Sequence, residues 1–374
     1  MATGLGARLH QVMRRILGPV TLPKTASIGE VPAFAPSVME GARAYRLRWQ
    51  RMRLLVRAYR KRRQLRVVRD RTSAIRPGAI LAFVTVRNEG QRLPHFVEHH
   101  RRLGVDHFLV VDNDSDDGSR DWLAIQADVS VWVTKDSYKL SRFGLDWLTW
   151  LQRRHGHGHW CLTLDADEIL IYPYCETRNL LALTAWLEGE GLCAFGAMML
   201  DMYPKGPLAA QSYQPGDDPL QVLPWFDSGN YAVQVQPRMR NLWIQGGPRA
   251  RQFFADQPKL APTLNKVPLV KWHRSYAYVN STHALLPRNL NVIYDVNGGE
   301  RISGILLHTK FLPVIVQKSA EERIRQEHFA NTALYDDYYH SLMQSPDLWC
   351  PASQRYTGWR QLEALGLMSR GGWV

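Results

Sequence analysis

Two aspartates separated by one residue, Asp165 and Asp167, have the side chains and the spacing to bind a metal ion. They follow the apolar segment Trp160–Leu164, which has the length and composition of a buried strand. Carboxylates two residues apart at a strand end can share one hard cation, and Mg²⁺ or Mn²⁺ keeps coordination positions for phosphate oxygens. The spacing therefore predicts a site for Mn²⁺ or Mg²⁺ that holds a diphosphate. The alternative is a solvated turn whose aspartates cap a helix.

A second cluster of acidic residues follows the apolar segment 107–111 and runs from Asp112 to Gly118. In nucleotide-binding α/β folds, an acidic side chain near a strand end accepts a hydrogen bond from the nucleoside. The position of Asp112 predicts this role. Asp114 and Asp116 are typical of the turn into the next helix, and turn formation alone is the alternative for the cluster.

The elements that must position these residues are short apolar strands that alternate with helical segments. The predicted strands are 79–86, 107–111, 129–133, 160–164 and 195–200, and the predicted helices between them include 93–103, 121–126 and 143–154. This alternation predicts an α/β fold with a mostly parallel sheet flanked by helices. Because ligands of such sheets bind outside the carboxyl ends of the strands, we expect the polar clusters that follow three of these strands to lie close together.

Three motifs in this order resemble those of family-two glycosyltransferases, which have a GT-A fold. They are residues 83–89, which end in Arg87-Asn88-Glu89, residues 110–119 and residues 164–168. The last contains Asp-Ala-Asp-Glu, as in a bacterial subgroup of the family. The resemblance covers about residues 79–205, continues more weakly to residue 310, and excludes residues 1–75.

The resemblance implies an enzyme that moves a sugar from a nucleotide-sugar, expected to be a UDP-sugar, with inversion at the anomeric carbon. The acceptor would be a glycan or a lipid-linked precursor in surface polysaccharide synthesis. Mn²⁺ or Mg²⁺ would bind Asp165 and Asp167. The implied donor-binding residues are Asn88, Glu89, Asp112, Asp114, Lys139 and Arg142.

An inverting transfer needs a base that deprotonates the acceptor hydroxyl. Asp201, at the end of the next predicted strand after the metal motif, is the first candidate, and Asp227 is the second. The alternative for both is a buried aspartate that caps a turn. The resemblance also implies that His308 completes the metal shell and that Lys310 meets the diphosphate, against an ordinary packed histidine.

The same reasoning extends to four further residues of the loosely patterned region. His283 and Lys266 are weaker candidates for the metal and the diphosphate. Arg249 and Arg251 could bind phosphate, although surface arginines are usually only solvated.

The positive charge is concentrated at the N-terminus. The chain of 374 residues has a formal charge of +13, and residues 1–72 contain 17 Lys and Arg against three acidic residues. The remaining 30 basic and 31 acidic residues nearly balance. The charge therefore indicates a basic arm and says nothing about the active site.

An apolar stripe at helical spacing runs through this arm between residues 38 and 69, and arginines cover the other faces. Its members are Val38, Ala42, Tyr45, Trp49, Met52, Val56 and Tyr59. A helix of this kind could lie on an anionic membrane, or the stripe could pack on the body of the protein. Nucleic acid is not expected as a partner because no binding motif accompanies the charge.

The sequence predicts three regions: a basic arm over 1–75, a GT-A glycosyltransferase domain over 76–315, and a C-terminal helical extension over 316–374 with a helix from Ser319 to about Gln344. No apolar run is long enough to span a membrane, and the four cysteines are not spaced as a disulfide framework. We expect a cytoplasmic protein with peripheral contact at the inner face of the membrane.

Two other functions fit parts of the sequence. A catalytically inactive glycan- or membrane-binding scaffold would retain the fold, although the intact Asp112, Asp165 and Asp167 disfavour it. A metal-dependent nucleotidyltransferase would need a glycine-rich phosphate loop with a lysine after the first strand. The first strand is followed by Arg87-Asn88-Glu89-Gly90, which does not have the sequence of such a loop.

Overall fold

A computed structural model describes residues 38–294, 301–325 and 332–374 of the chain. Residues 1–37 of the predicted basic arm lie outside the described residues. In the described part, nine strands form one mixed sheet with helices on both faces, which confirms the predicted α/β fold class. Three further pairs of short strands lie outside that sheet.

The strands are numbered in chain order. They are β1 Arg66–Arg69, β2 Ile80–Val86, β3 His107–Asp112, β4 Val129–Val133, β5 Trp160–Leu164, β6 Glu168–Ile171, β7 Ala194–Asp201, β8 Trp225–Asp227, β9 Ala232–Gln236, β10 Asn241–Gln245, β11 Asn265–Lys271, β12 Ala277–Tyr278, β13 Leu285–Leu286, β14 Ser303–His308 and β15 Ser353–Arg355.

The helices are numbered in the same way. They are α1 Val38–Lys61, α2 Leu93–Arg102, α3 Ser119–Ile125, α4 Leu145–His155, α5 Leu180–Gly189, α6 Pro219–Val222, α7 Gly247–Phe253, α8 Val314–Arg325, α9 Thr332–Met343 and α10 Trp359–Ala364. The predicted C-terminal helix is thus replaced by α8 and α9, and α8 begins five residues before Ser319.

The order of the large sheet is β1-β4-β3-β2-β5-β11-β7-β14-β6. Strands β4, β3, β2 and β5 are parallel, and β7 and β14 run in the same direction as these four because β11 is antiparallel to both β5 and β7. Strands β1 and β6 are antiparallel to their neighbours at the two edges. The carboxyl ends of β2, β3, β5, β7 and β14 therefore meet along one edge of the sheet.

The central strands are buried on both faces, which explains their continuous apolar sequences. In β2, Ile80, Ala82 and Val84 pack into the cluster that includes α2 and α5, whereas Leu81 and Phe83 pack against α4. Burial on both faces fixes the sheet rigidly behind the loops at its carboxyl edge.

Helix α1 is shorter than the pattern predicts, because it ends at Lys61 and residues 66–69 form the edge strand β1. It packs on α4, with Leu47, Leu55 and Ala58 buried. The members of the predicted stripe from Tyr45 to Tyr59 are about half exposed instead, although the ring of Tyr59 at the end of the stripe lies edge-on against Trp150 of α4, with ring centroids 5.8 Å apart. The side chains of Val38 and Ala42 lie outside the described ones. None of the described helices is long and apolar enough to cross a bilayer.

Candidate functional site

A cavity of about 590 Å³ opens at the carboxyl edge of the sheet. Arg87 and Glu89 line it after β2, Asn113 after β3, and the Asp165–Asp167 turn after β5. Residues that end or follow β14 also line it, His308 and Lys310 among them. The sheet thus brings together the segments that the sequence analysis places at strand ends.

His308 stands between two carboxylates. Its Nε2 lies 3.2 Å from Oδ2 of Asp167, and its Nδ1 lies 2.6 Å from Oδ1 of Asp201. The other oxygen of Asp201 accepts a hydrogen bond of 2.7 Å from Nε of Arg249. Strand register explains the arrangement, because His308 is opposite Asp201 on β7 and opposite Glu168, the residue after Asp167, on β6.

Charge pairing stabilises the ionised forms in this group. Burial raises the pKa of Asp201, but the Arg249 guanidinium and the His308 ring outweigh it and hold the pKa at about 2. Burial likewise opposes the charge of Asp167, and His308 lowers its pKa well below the usual range. The two carboxylates in turn raise the pKa of His308 against the effect of its own burial.

Lys266 forms a second ionic group beside the first. From β11, its Nζ lies 2.9 Å from Oδ2 of Asp165 and 2.7 Å from Oε1 of Glu168. Glu168 is fully buried and also accepts a hydrogen bond of 3.1 Å from the backbone N–H of Asp165. Burial, reinforced by the charges of Asp165 and Asp167, raises the pKa of Glu168 to about 7.

The cavity wall is rich in cations. Among its described lining residues, seven are Lys or Arg and four are Asp or Glu. The basic ones are Arg87, Arg92, Arg249, Lys259, Lys266, Lys310 and Lys318, and the acidic ones are Glu89, Asp165, Asp167 and Glu321. Such a wall attracts an anionic ligand.

Two of these cations, Arg249 and Lys310, are buried, and Lys318 is partly buried, with incomplete compensation of their charges. The Nη2 atom of Arg249 is buried and has no hydrogen-bond partner among the described residues. Burial lowers the pKa of Lys310 and of Lys318, although Lys318 pairs with Glu89. A buried donor without a partner is costly, so an anion in the cavity would complete the site.

A metal ion at this cavity would have few protein ligands. Among the described residues there is no group of three or more His, Cys, Asp or Glu side chains placed to hold a metal ion. The 3.2 Å separation of Asp167 Oδ2 and His308 Nε2 nevertheless suits two ligands of one cation, since ligands about 2.1 Å from Mg²⁺ at right angles lie about 3 Å apart. A site with two protein ligands, completed by phosphate oxygens and water, fits these residues.

Eight of the candidate site residues from the sequence line the cavity together: Glu89, Asp165, Asp167, His308 and Lys310, and the weaker candidates Arg249, Lys266 and His283. Glu89 is engaged from two sides, because its oxygens contact Lys318 and accept a hydrogen bond of 2.8 Å from Nη1 of Arg92. Asp165 is half-exposed beside Lys266, whereas Asp167 is mostly buried beside His308.

Asn88, Asp112 and Asp114 are not among the residues that line the cavity. The first two shape the turns behind it: Asn88 Oδ1 accepts from the N–H of Asp116, and Asp112 Oδ1 accepts from the N–H of Ser115. Burial raises the pKa of Asp112, whose Oδ2 has no partner among the described residues. Asp114 lies 3.6 Å from Lys135.

Lys139 and Arg142 are also outside the cavity lining. Arg142 is held by Asp146, whose Oδ1 accepts a hydrogen bond of 2.7 Å, and by the carbonyl of Tyr278 at 2.9 Å. Tyr138 and Phe143, from the same segment, line the cavity with rings 5.8 Å apart. The segment therefore contributes aromatic rings where the sequence predicted cations.

The two predicted base residues lie behind the cavity lining. Asp201 is 2% exposed and is saturated by His308 and Arg249. Asp227 accepts a hydrogen bond from Tyr203 and pairs with Arg251 at 3.0 Å. Their role as base stays a prediction from sequence.

Sequence reasoning missed Arg92, Lys318 and Glu168. A signal existed for two of them: Glu168 belongs to the Asp-Ala-Asp-Glu motif, and Arg92 follows Glu89 at the spacing of a helical ion pair. Lys318 belongs to α8, and nothing in the sequence indicates that this helix borders the cavity.

No family model matches the chain, and no curated protein does. Among solved structures, it is similar to a mannosyltransferase from Pyrobaculum calidifontis in complex with GDP-Man and Mn²⁺, with 19% identity and a TM-score of 0.25, over 44% of this chain and 47% of that one. The chain thus spans about half the length of that protein. It is also similar to a Bacillus anthracis protein described as a glucose-1-phosphate thymidylyltransferase in complex with sucrose, with 10% identity and a TM-score of 0.29, over 77% of this chain and 96% of that one.

Proposed function

We propose that this protein is a metal-dependent, inverting glycosyltransferase of GT-A type that takes a sugar from a nucleotide-sugar. The observation that carries the proposal is the pairing of Asp167 with His308 at the mouth of a cation-rich cavity, with Asp201 behind the histidine. A divalent cation beside buried cations is suited to a diphosphate, which is the leaving group of a nucleotide-sugar.

In this proposal Asp167 and His308 hold Mn²⁺ or Mg²⁺, and the metal neutralises the departing diphosphate. Asp201 accepts the Nδ1–H of His308, which leaves the lone pair of Nε2 for the ion. Asp165 stands beside this pair with one oxygen held by Lys266.

The diphosphate is expected to lie between Arg249, Lys310 and Lys318, which line the same cavity. The unpartnered Nη2 of Arg249 would donate to a phosphate oxygen. The nucleoside would extend along the ends of β2 and β3, where Asn113, Tyr138 and Phe143 are lining residues. Asp112 and Asn88 would support this part of the site from behind, and a UDP-sugar stays the predicted donor.

The acceptor hydroxyl would enter from the open side of the cavity and attack the anomeric carbon in line with the departing diphosphate. Asp201 and Asp227 stay the predicted bases. Because the oxygens of both carboxylates are already paired with other side chains, a role for Asp201 in orienting His308 is better supported than a role as base. A growing surface glycan or its lipid-linked precursor stays the predicted acceptor.

The test is a thermal-shift titration with UDP, GDP, CDP and dTDP, each with and without Mn²⁺. We expect one nucleotide to stabilise the protein only when the metal is present. Asp167→Asn should abolish this shift. Asp121→Asn is the matched control, because that carboxylate is exposed and lies outside the cavity lining, and it should retain the shift.

Three results would reject the proposal. Equal metal-dependent shifts in Asp167→Asn and in the wild type would show that Asp167 does not bind the metal. Release of pyrophosphate from a nucleoside triphosphate and a sugar phosphate, without sugar transfer from a nucleotide-sugar, would establish a nucleotidyltransferase. Absence of any nucleotide-induced shift would favour the scaffold function.

A further inference from the structure

Helix α1 presents a stripe of apolar side chains that are about half exposed, and the last of them, Tyr59, also contacts Trp150 of α4. Tyr45, Trp49, Met52, Val56 and Tyr59 are between 46% and 61% exposed, although each carries a large apolar side chain. They recur at steps of four and three residues, so they form one continuous line on the helix. We call this line together with Leu140 the α1 surface. Leu140 is 66% exposed and lies beside the same shallow groove.

The charges around the α1 surface are of one sign. The described side chains of α1, at 41 and 43–61, include eight Arg and Lys and no Asp or Glu. Arg48 lies on one side of the stripe, and Arg53 and Arg60 lie on the other. An apolar line flanked by arginines, with Tyr and Trp among its members, has the composition of a helix that lies in the headgroup region of an anionic bilayer.

Other occupants match these residues less well. A second copy of the chain, packed stripe to stripe, would bring two sets of arginines together with no acidic partner among the described side chains of either helix. A nucleic acid would satisfy the arginines but would leave Met52 and Val56 without apolar contact.

The α1 surface is connected to the cavity through one segment. Nη2 of Arg57 donates a hydrogen bond to the carbonyl of Leu140, and Tyr138 and Phe143 on either side of Leu140 line the cavity. A membrane that contacts Leu140 would therefore lie near the cavity wall.

We propose that the α1 surface binds an anionic lipid bilayer and holds the cavity close to it. That the acceptor is embedded in the lipid is a consequence that rests on the proposed glycosyltransferase function. Binding of the α1 surface to the bilayer does not rest on that function, and it is tested without a nucleotide-sugar donor.

The experiment measures flotation of the full chain with phosphatidylcholine vesicles, with and without phosphatidylglycerol. We expect binding only to the anionic vesicles, with a decrease at high salt. Replacing both Trp49 and Met52 with Ser should weaken the partition by about tenfold or more, because both the apolar contact and the headgroup anchor are lost. Arg48→Gln with Arg60→Gln should weaken it by about fivefold for each charge at low salt.

The matched control replaces two exposed apolar residues elsewhere, Ile125→Ser with Leu181→Ser, which are 75% and 61% exposed. This control should bind vesicles as the wild type does. Thermal unfolding and the nucleotide-induced shift, measured on every variant, separate lost membrane binding from a misfolded chain or a failed donor site. No flotation with anionic vesicles, equal loss in the control, or a dimer that dissociates on replacement of Trp49 would each overturn the proposal.

Discussion

Nδ1 of His308 lies 2.6 Å from Oδ1 of Asp201, and the two residues are 107 positions apart in the chain. Parallel pairing of β14 with β7 places them directly opposite each other. The hydrogen bond orients the ring so that Nε2 faces Asp167. The candidate metal pair therefore depends on a residue that is itself outside the cavity lining.

Asp201→Asn should weaken Mn²⁺ binding in the presence of the nucleoside diphosphate by about 10- to 100-fold, because the amide keeps the shape but loses the charge that orients and polarises the histidine. Titration calorimetry measures this affinity. Asp227→Asn is the matched control, since it also loses a buried charge paired with arginine but lies away from the cavity. Equal affinities in both variants would contradict the role of Asp201.

Glu168 should make stability depend on pH. Its pKa is raised from the ordinary 4.5 to about 7 in the folded protein, chiefly by burial. The folded state therefore binds more protons than the unfolded state between these values, so the contribution of Glu168 to stability is complete below about pH 4.5 and is lost as the pH rises to about 7.

The matched variant is Glu168→Gln, which cannot titrate. The free energy of unfolding of the wild type, minus that of the variant, should decrease by about 1–3 kcal/mol across this interval. Urea unfolding at a series of pH values measures it. A difference that stays constant or increases with pH would show that Glu168 remains ionised beside Lys266.

Asp146 should hold helix α1 on the body. It is fully buried and accepts hydrogen bonds of 2.5 Å from Arg57 of α1 and 2.7 Å from Arg142. Asp146→Asn removes the charge from this pair of contacts, and because Arg57 is half-exposed the loss should fall below the value of about 3–5 kcal/mol that breaking a fully buried pair costs. Trypsin should then cleave the arginine-rich helix several times faster than in the wild type.

The control for that comparison is Glu188→Gln, which removes the charge of Glu188 from its exposed ion pair with Lys271. An exposed pair contributes about 0–1 kcal/mol, so cleavage of α1 should stay as in the wild type. Identical cleavage rates in Asp146→Asn and in the wild type would mean that apolar packing alone holds the helix.

The sequence predicts the sheet well because β2, β3 and β5 are continuous apolar runs, each followed by a cluster of polar residues. The family resemblance implied that His308 joins the metal site, but local pattern could not show how His308 reaches Asp167 or how Lys266 reaches Asp165. His308 and Lys266 reach the site through pairing of β14 and β11 with strands far away in the chain, and pairing between distant strands is not encoded in local pattern.

Arg142, which stays a predicted donor ligand, shows a second limit, because the structure places it outside the cavity lining. A basic residue near a ligand site and one that bonds to a buried acid look the same in sequence, and only the position of Asp146 distinguishes them. The exposed stripe of α1 is the opposite case. Its pattern was visible, but the side of the helix that packs on the body is set by Leu47, Leu55 and Ala58.

Gly144 should be intolerant of any side chain, because its φ is +75° and a Cβ there would lie 2.6 Å from Oγ1 of Thr85, a residue of the cavity lining. Gly78 is the matched control: its φ is +81°, but no atom lies within 4 Å of the added Cβ. Gly78→Ala should lower the free energy of unfolding by about 1 kcal/mol, because only the conformational preference of glycine for positive φ is lost. Gly144→Ala should lower the free energy of unfolding by about 1–3 kcal/mol more than Gly78→Ala does, because the added Cβ overpacks the contact with Thr85. It should also weaken nucleotide binding, since Thr85 must move. Urea unfolding and the nucleotide-induced thermal shift measure both effects, and equal losses in the two variants would show that the contact with Thr85 relaxes without cost.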